Sequence, residues 1–278
     1  MKIKKWLVNF IRKHNPIDSQ VIKIPISGHL AGDTLLRIVQ VSDVHVPRSA
    51  YSVGEIAQAV KAQKPDIIFL TGDMMDGHSA FDGPKLSFLT KNLLEIAPVF
   101  AINGNHERKN RKYFAIWKSM LTLRGVHYLD DEVMDLTMNG VRFLIAGKSD
   151  LKQEDQSETD FDFLHHAEHK EAVCVLLLHH KPVTWRQFYP SLKIPTVVFS
   201  GHAHGGQIGI PFIKRGLIAP DQGFFPKYVS GLYQHSEKEF EVVSRGLVSL
   251  TRPIRINNRP HLPVIDIVGQ GHETRKLQ

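Results

Sequence analysis

Residues 99–107 read Val99-Phe100-Ala101-Ile102-Asn103-Gly104-Asn105-His106-Glu107, and this stretch decides how the chain folds. Four apolar residues make a short buried strand, and the polar tetrapeptide beginning at Gly104 reads as the loop into which that strand runs. The same grammar recurs four more times. A run from Leu35 to Ser42 leads into Asp43-Val44-His45, and Asp66 to Leu70 leads into Gly72-Asp73. Ala172 to Leu178 leads into His180-Lys181-Pro182, and Thr196 to Phe199 into Gly201-His202-Ala203-His204. Every tail is built from Asp, His or Asn, the oxygen and imidazole donors that suit Mn²⁺, Fe or Zn²⁺. Open α/β sheets gather their ligand sites at such strand ends.

Between the strands the spacing turns helical. Ser52 to Gln63 reads as a helix with Ser52 as its N-cap, Pro84 to Ile96 as one beginning at proline, and Arg111 to Arg124 as a third. Val133 to Met138, Asn139-Gly140 and Val141 to Ala146 predict a β-hairpin with a type I′ turn. Lys148 to Thr159 reads as an exposed loop, Phe161 to Lys170 as a helix, and Val229 to Gln234 as a strand paired with Phe240 to Val243. The pattern amounts to a mixed α/β protein without internal repeats.

At 278 residues the chain can bury one large core. No apolar run approaches the roughly 20 residues needed to span a bilayer. The single cysteine, Cys174, sits inside an apolar run and reads as a buried small hydrophobe. The formal charge of +7 favours anionic partners. Arg108, Lys109, Arg111 and Lys112 follow the Asn-His-Glu tail, where Arg108 and Lys109 are candidates for lining a substrate entrance. Arg252, Arg255 and Arg259 read as solvated surface charge.

The first residues, MKIKKWLVNFIRKH, place Ile3, Trp6, Leu7, Phe10 and Ile11 at helical spacing on one side, with lysines and arginine on the other. Residues 1–16 are therefore expected to form a basic amphipathic helix ended by Pro16, and 17–278 the domain that carries the five tails. Such a helix suits an anionic membrane surface, and equally well a flank of its own domain. Charges interrupt any apolar core for a cleavable signal, so a cytoplasmic or membrane-peripheral protein is expected.

The five tails, in this order, resemble the calcineurin-like metallophosphoesterases, whose pattern runs Asp-x-His, Gly-Asp, Gly-Asn-His-Glu, a lone His and Gly-His-x-His. Gly205-Gly206-Gln207 extends the last motif as in a branch containing membrane-associated bacterial phosphodiesterases. Ser244-Arg245-Gly246-Leu247 and Arg252-Pro253-Ile254-Arg255 resemble that branch as well, with Val248 where glycine is usual and His261 where an acidic residue often stands. The resemblance implies a four-layer sandwich of two mixed β-sheets flanked by helices. It implies two divalent ions, Mn²⁺ above Zn²⁺ or Fe, with Asp43, His45 and His204 on one, Asn105, His180 and His202 on the other, and Asp73 bridging. Water held between two such ions loses its proton near neutral pH and attacks phosphorus. His106 is implied as the acid serving the leaving group, and Glu107 as the residue that orients His106 or its loop.

The implied activity is hydrolysis of a phosphodiester or pyrophosphate, with a membrane-linked substrate favoured by the N-terminal stripe. A phosphomonoesterase or protein phosphatase would use the same residues. A non-catalytic scaffold should have lost Asp73 or His106, and both are present. The basic stretches lack the interleaved aromatics that stack bases, so nucleic acid is not an expected partner. Strand alternation should turn His179 away from His180. Asp76 reads as a turn residue, and His165, His166 and His169 as solvent-facing. If His202-Ala203-His204 stays extended, its two histidines point to different ions.

Overall fold

A computed structural model describes residues 15–27, 32–150, 158–167, 171–182, 184–188, 192–210, 216–248 and 255–270. The amphipathic stretch 1–14, His169 and Arg252 lie outside the described residues.

Two six-stranded mixed sheets face one another. The first is built from β1 (Val21–Ser27), β2 (Thr34–Val41), β3 (Ile67–Thr71), β4 (Val99–Ile102), β5 (His127–Tyr128) and β14 (Val264–Gln270), in the order β1-β14-β2-β3-β4-β5. The second holds β6 (Glu132–Met138), β7 (Val141–Lys148), β8 (Val175–His179), β9 (Thr196–Ser200), β12 (Gly231–Gln234) and β13 (Glu239–Val243), in the order β12-β13-β9-β8-β7-β6. A small hairpin, β10 (Ile218–Ala219) with β11 (Gly223–Phe224), stands apart from both.

The unbroken apolar runs follow from burial on both faces. In β3, Ile67 and Phe69 point between the sheets, while Ile68 and Leu70 point at the helices. In β9, Val197 and Phe199 point between the sheets and Val198 points outward. Phe69 and Phe199 meet edge-to-face across the gap at 4.8 Å, a geometry favoured by the ring quadrupoles. The helices α1 (Val53–Ala62), α2 (Gly83–Leu94) and α4 (Arg111–Leu123) cover the first sheet. A 3₁₀ helix over Glu158–Ala167 and the short α5 (Trp185–Phe188) cover the second. Helices, sheet, sheet and helices make the four expected layers.

Ser52 caps α1 through a capping box with Glu55, and Asn139 and Gly140 both take left-handed φ, as a type I′ turn requires. The α-helix expected from Phe161 is instead the 3₁₀ segment. Phe161 and Leu164, three residues apart, are both buried, a spacing that either kind of helix keeps on one side. The helix from Arg111 is preceded by a separate short one, α3 (Asn105–Lys109), so the Asn-His-Glu motif forms a helical turn rather than a loop. No helix among the described residues is long and apolar enough to cross a membrane.

Candidate metal centre

Strands β2, β3 and β4 run parallel in the first sheet, and β8 and β9 run parallel in the second. Their carboxyl ends deliver all five motifs to one place. Asp43, His45 and His204 bring one ligand atom each within 4.8 Å of one another, and Asp73, His180 and His202 do the same. Asp73 lies between the groups, its Oδ2 3.6 Å from His45 Nε2 and 3.3 Å from His180 Nε2. Asn105 Oδ1 is 3.2 Å from His180 Nε2. All seven side chains are buried. His106, half-buried, also comes within ligand range of His45 and Asp73.

The backbone beneath these groups is unusual. Asp43, His45, Asp73, His202 and His204 all have left-handed φ, between 47° and 63°. The His-x-His segment is therefore not extended, contrary to the expectation. His202 and His204 still join different groups, because His202 and His204 are both left-handed and a 3₁₀ turn begins at His204. Gly201 and Gly104 are glycine for lack of room. A Cβ on Gly201 would collide with Ser42 and the Asp43 carboxylate, and one on Gly104 with Asp73.

Glu107 is buried and holds the loops, the one carrying His106 among them, rather than the His106 side chain. Its Oε2 accepts from the N–H groups of Asp73 (2.8 Å) and Gly104 (2.9 Å), and its Oε1 from Met75 N–H (3.0 Å). Asp43 is fixed by the His202 N–H at 3.0 Å and by the Ser42 hydroxyl. His180 Nδ1 faces the Thr71 carbonyl at 2.8 Å, which leaves Nε2 toward Asp73. His179 turns to the Lys181 carbonyl instead.

The residue set fits cations. His45 Nε2, Asp73 Oδ2 and His204 Nδ1 are buried without a hydrogen-bond partner. Such an atom costs about 1–3 kcal/mol when stranded, and with His45 Nε2 and Asp73 Oδ2 only 3.6 Å apart the site calls for an occupant that accepts lone pairs. The field agrees. Burial opposes a charge on His180, yet the Asp73 carboxylate raises it to about 10, and burial of His45 is likewise outweighed by Asp76 and Asp73. Burial raises the Glu107 carboxyl to about 7, with the charge of Asp73 adding to the effect. Burial pushes the His106 imidazole down to about 4, so it is neutral at pH 7.

Three residues with no role in the site by sequence alone belong here. Asp76 is not a plain turn residue: it is buried, with Oδ1 3.1 Å from His106 Nδ1. Gly77 N–H is 3.0 Å from the same nitrogen, so Nδ1 is engaged and Nε2 is left for substrate. Its place three residues after Asp73 was the available signal. Arg255, expected at the surface, is buried. It donates to the Gly246 and Arg245 carbonyls, and burial pushes it down to about 9. Asp221 reaches His202 from the β10–β11 turn, and nothing in the sequence marked it. Of the two entrance candidates, Arg108 is tied to Asp150 at 2.9 Å, and Lys109 is exposed beside Gly77. His261, the departure from the branch pattern, is fully buried, with Nδ1 facing the Arg245 N–H at 3.3 Å.

Known proteins match this description. The calcineurin-like phosphoesterase family model covers residues 36–206, more than half of the chain. An uncharacterized metallophosphoesterase of Aquifex aeolicus is 28% identical over 253 residues, spanning 86% of this chain and 87% of the relative. Phosphodiesterase YaeI of Escherichia coli is 28% identical over 246 residues, spanning 84% and 82%. The sulfate thiohydrolase SoxB of Thermus thermophilus superposes with a TM-score of 0.52 at 9% identity, covering 87% of this chain and 58% of that one, a likeness of fold alone. The chain thus belongs to the calcineurin-like phosphoesterases and is a phosphoric ester hydrolase.

Proposed function

We propose that this enzyme is a two-metal phosphodiesterase or pyrophosphatase, acting on a substrate linked to a membrane. The carrying observation is Asp73, whose single oxygen stands 3.6 Å from one imidazole group and 3.3 Å from another, as a carboxylate shared by two ions would. Asp43, His45 and His204 would hold one ion, and Asn105, His180 and His202 the other. Two divalent ions, Mn²⁺ foremost, would supply the Lewis acidity that polarises a phosphoryl oxygen and makes water nucleophilic near neutral pH.

The chain's own groups do the rest. Glu107 and its three N–H donors keep the Asp73 and Gly104 turns in register. His106, neutral and held through Nδ1, presents Nε2 as donor to a leaving oxygen, a role worth about 10²–10⁴ in rate. The charge around the site supports a diester over a monoester. Arg48, Arg108, Lys148 and Lys181 each face a carboxylate, so their charge is already largely answered. A diester brings one negative charge to phosphorus where a monoester brings about two. The relative named as a phosphodiesterase supports the same choice. The basic amphipathic stretch 1–14 supports an anionic membrane surface as partner.

The test is hydrolysis of bis-p-nitrophenyl phosphate and p-nitrophenyl phosphate by chelator-stripped protein, with Mn²⁺, Zn²⁺ or Fe²⁺ restored. Diester turnover that depends on metal and collapses in His106→Ala is expected. Turnover of the monoester alone would overturn the diesterase reading. Binding to phosphatidylglycerol vesicles, lost on deleting residues 1–14, tests the membrane part.

A further inference from the structure

Asp221 sits in the turn between β10 and β11, 19 residues after His202 in the chain. Its Oδ2 is 3.0 Å from His202 Nε2. The same oxygen is 3.4 Å from Lys181 Nζ, and that ammonium lies 3.6 Å from Asp150 Oδ1, whose other oxygen accepts from Arg108 Nε at 2.9 Å. Asp221, Lys181, Asp150 and Arg108 thus alternate in sign along one side of the site, starting beside His202. Lys181 is buried although it is a lysine, and its two carboxylate neighbours are the reason that position is tolerable. The Asp221 backbone is left-handed, at φ 58°, a conformation that Asp adopts more readily than most residues.

An imidazole offers two nitrogens. In His202 the Nε2 is committed to Asp221, so Nδ1 is the nitrogen left for the group formed with Asp73 and His180. His180 is arranged on the same principle, with its Nδ1 on the Thr71 carbonyl and Nε2 inward. A carboxylate on the far nitrogen fixes tautomer and ring orientation and makes the near nitrogen a stronger donor. We infer that Asp221 is a positioning residue for His202, with Lys181 holding the carboxylate from its other side, and that it sets the affinity of the ion bound with His180. The inference rests on the two-metal reading. It goes beyond that reading by making the affinity of one ion depend on a hairpin outside both sheets.

The experiment is calorimetric titration of metal-stripped protein with Mn²⁺ and Zn²⁺, comparing wild type, Asp221→Ala and Asp221→Glu, with thermal melts of each stripped form. Wild type should take up two ions. Asp221→Ala should weaken one of them by about 10–100-fold and leave the other unchanged. Asp221→Glu, keeping a carboxylate, should recover most of the loss. The stripped melting temperatures should differ little, because Lys181 keeps Asp150 as its carboxylate partner and Asp221 is nearly half exposed, so that water can reach His202 Nε2 once it is removed. Two ions bound with wild-type affinities in Asp221→Ala would overturn the inference, as would equal weakening of both ions or failure of Asp221→Glu to restore binding. Failure of wild type to bind a second ion would instead overturn the two-metal reading.

Discussion

Glu107→Gln is the most informative single change in this protein. The substitution keeps size and shape but exchanges one acceptor oxygen for an NH₂. Oε2 serves two donors, the N–H groups of Asp73 and Gly104, so the amide oxygen takes that place. The NH₂ then faces Met75 N–H, and two donors meet with no acceptor between them. Leaving one buried donor unmet costs about 1–3 kcal/mol and the two remaining bonds weaken as the charge goes, while relief of a buried charge that Asp73 repels offsets part of that loss. Glu107→Ala would strand all three donors, three times that cost, against a total stability of about 5–15 kcal/mol. The Gln variant stays within measurable range. Urea unfolding of stripped protein at pH 8.5, above the value near 7 at which burial places the Glu107 carboxyl, compares an ionised Glu with Gln. The unfolding free energy should fall by about 1 kcal/mol, the low end of that range once the relieved charge is counted, with an unchanged denaturant slope. Metal affinity should fall with it, because Asp73 is held in place by the same bond. A Gln variant within about 0.5 kcal/mol of wild type, the scale of an ordinary surface substitution, would refute the argument.

Gly201→Ala should fold poorly or lose metal binding, since its methyl group would occupy the space of Ser42 and the Asp43 carboxylate; retention of two tight ions would contradict that geometry. Removing metal should lower stability by about 2.7 kcal/mol for each site that had been held at 100 times its dissociation constant, read as a drop in melting temperature on adding chelator. Cys174 is fully buried, and burial pushes its thiol well above the usual range, so a thiol reagent should label it only in denaturant. In stripped protein, His45→Gly should be more stable than His45→Ala by about 1 kcal/mol, because only glycine accepts φ 48° without penalty; equal urea midpoints would argue against strain there.

The fold was legible where residues are constrained on both sides. Apolar runs such as 67–70 can only be strands buried on two faces, and the donor residues at their ends mark which end carries the site. His180 could be separated from His179 because strand alternation is rigid. Legibility failed where a residue acts from a distance in sequence or against its usual habit. Arg255 looked like surface because arginines rarely go inside, yet its guanidinium meets two backbone carbonyls behind Asp43. Asp221 carries no pattern at all, since only the tertiary path of the β10–β11 hairpin brings it to His202. The 3₁₀ segment escaped because periods of 3.0 and 3.6 residues both place Phe161 and Leu164 on one side.

The left-handed φ at five donor residues explains how one short site can draw on two sheets. A strand continuing straight past its last residue would carry its side chain over the sheet, away from the gap between layers. A sharp left-handed turn at Asp43, Asp73 and His202 redirects the chain immediately, so that carboxylate and imidazole point back across the strand ends. Asp, Asn and His tolerate that conformation better than most residues, so the types that bind metal are also those that make the turn least costly. The remaining strain, of order 1–3 kcal/mol per residue, persists only where neighbours over-determine it. Those neighbours are identifiable: Glu107 on the Asp73 N–H, Gly72 O on the Asp43 N–H, the Val248 N–H on the Asp43 carbonyl, and the Asn258 amide on the His204 carbonyl. Each is a backbone contact made by a residue that is not itself a ligand. The site's geometry is therefore written less in its seven donors than in the hydrogen bonds that pin the turns beneath them.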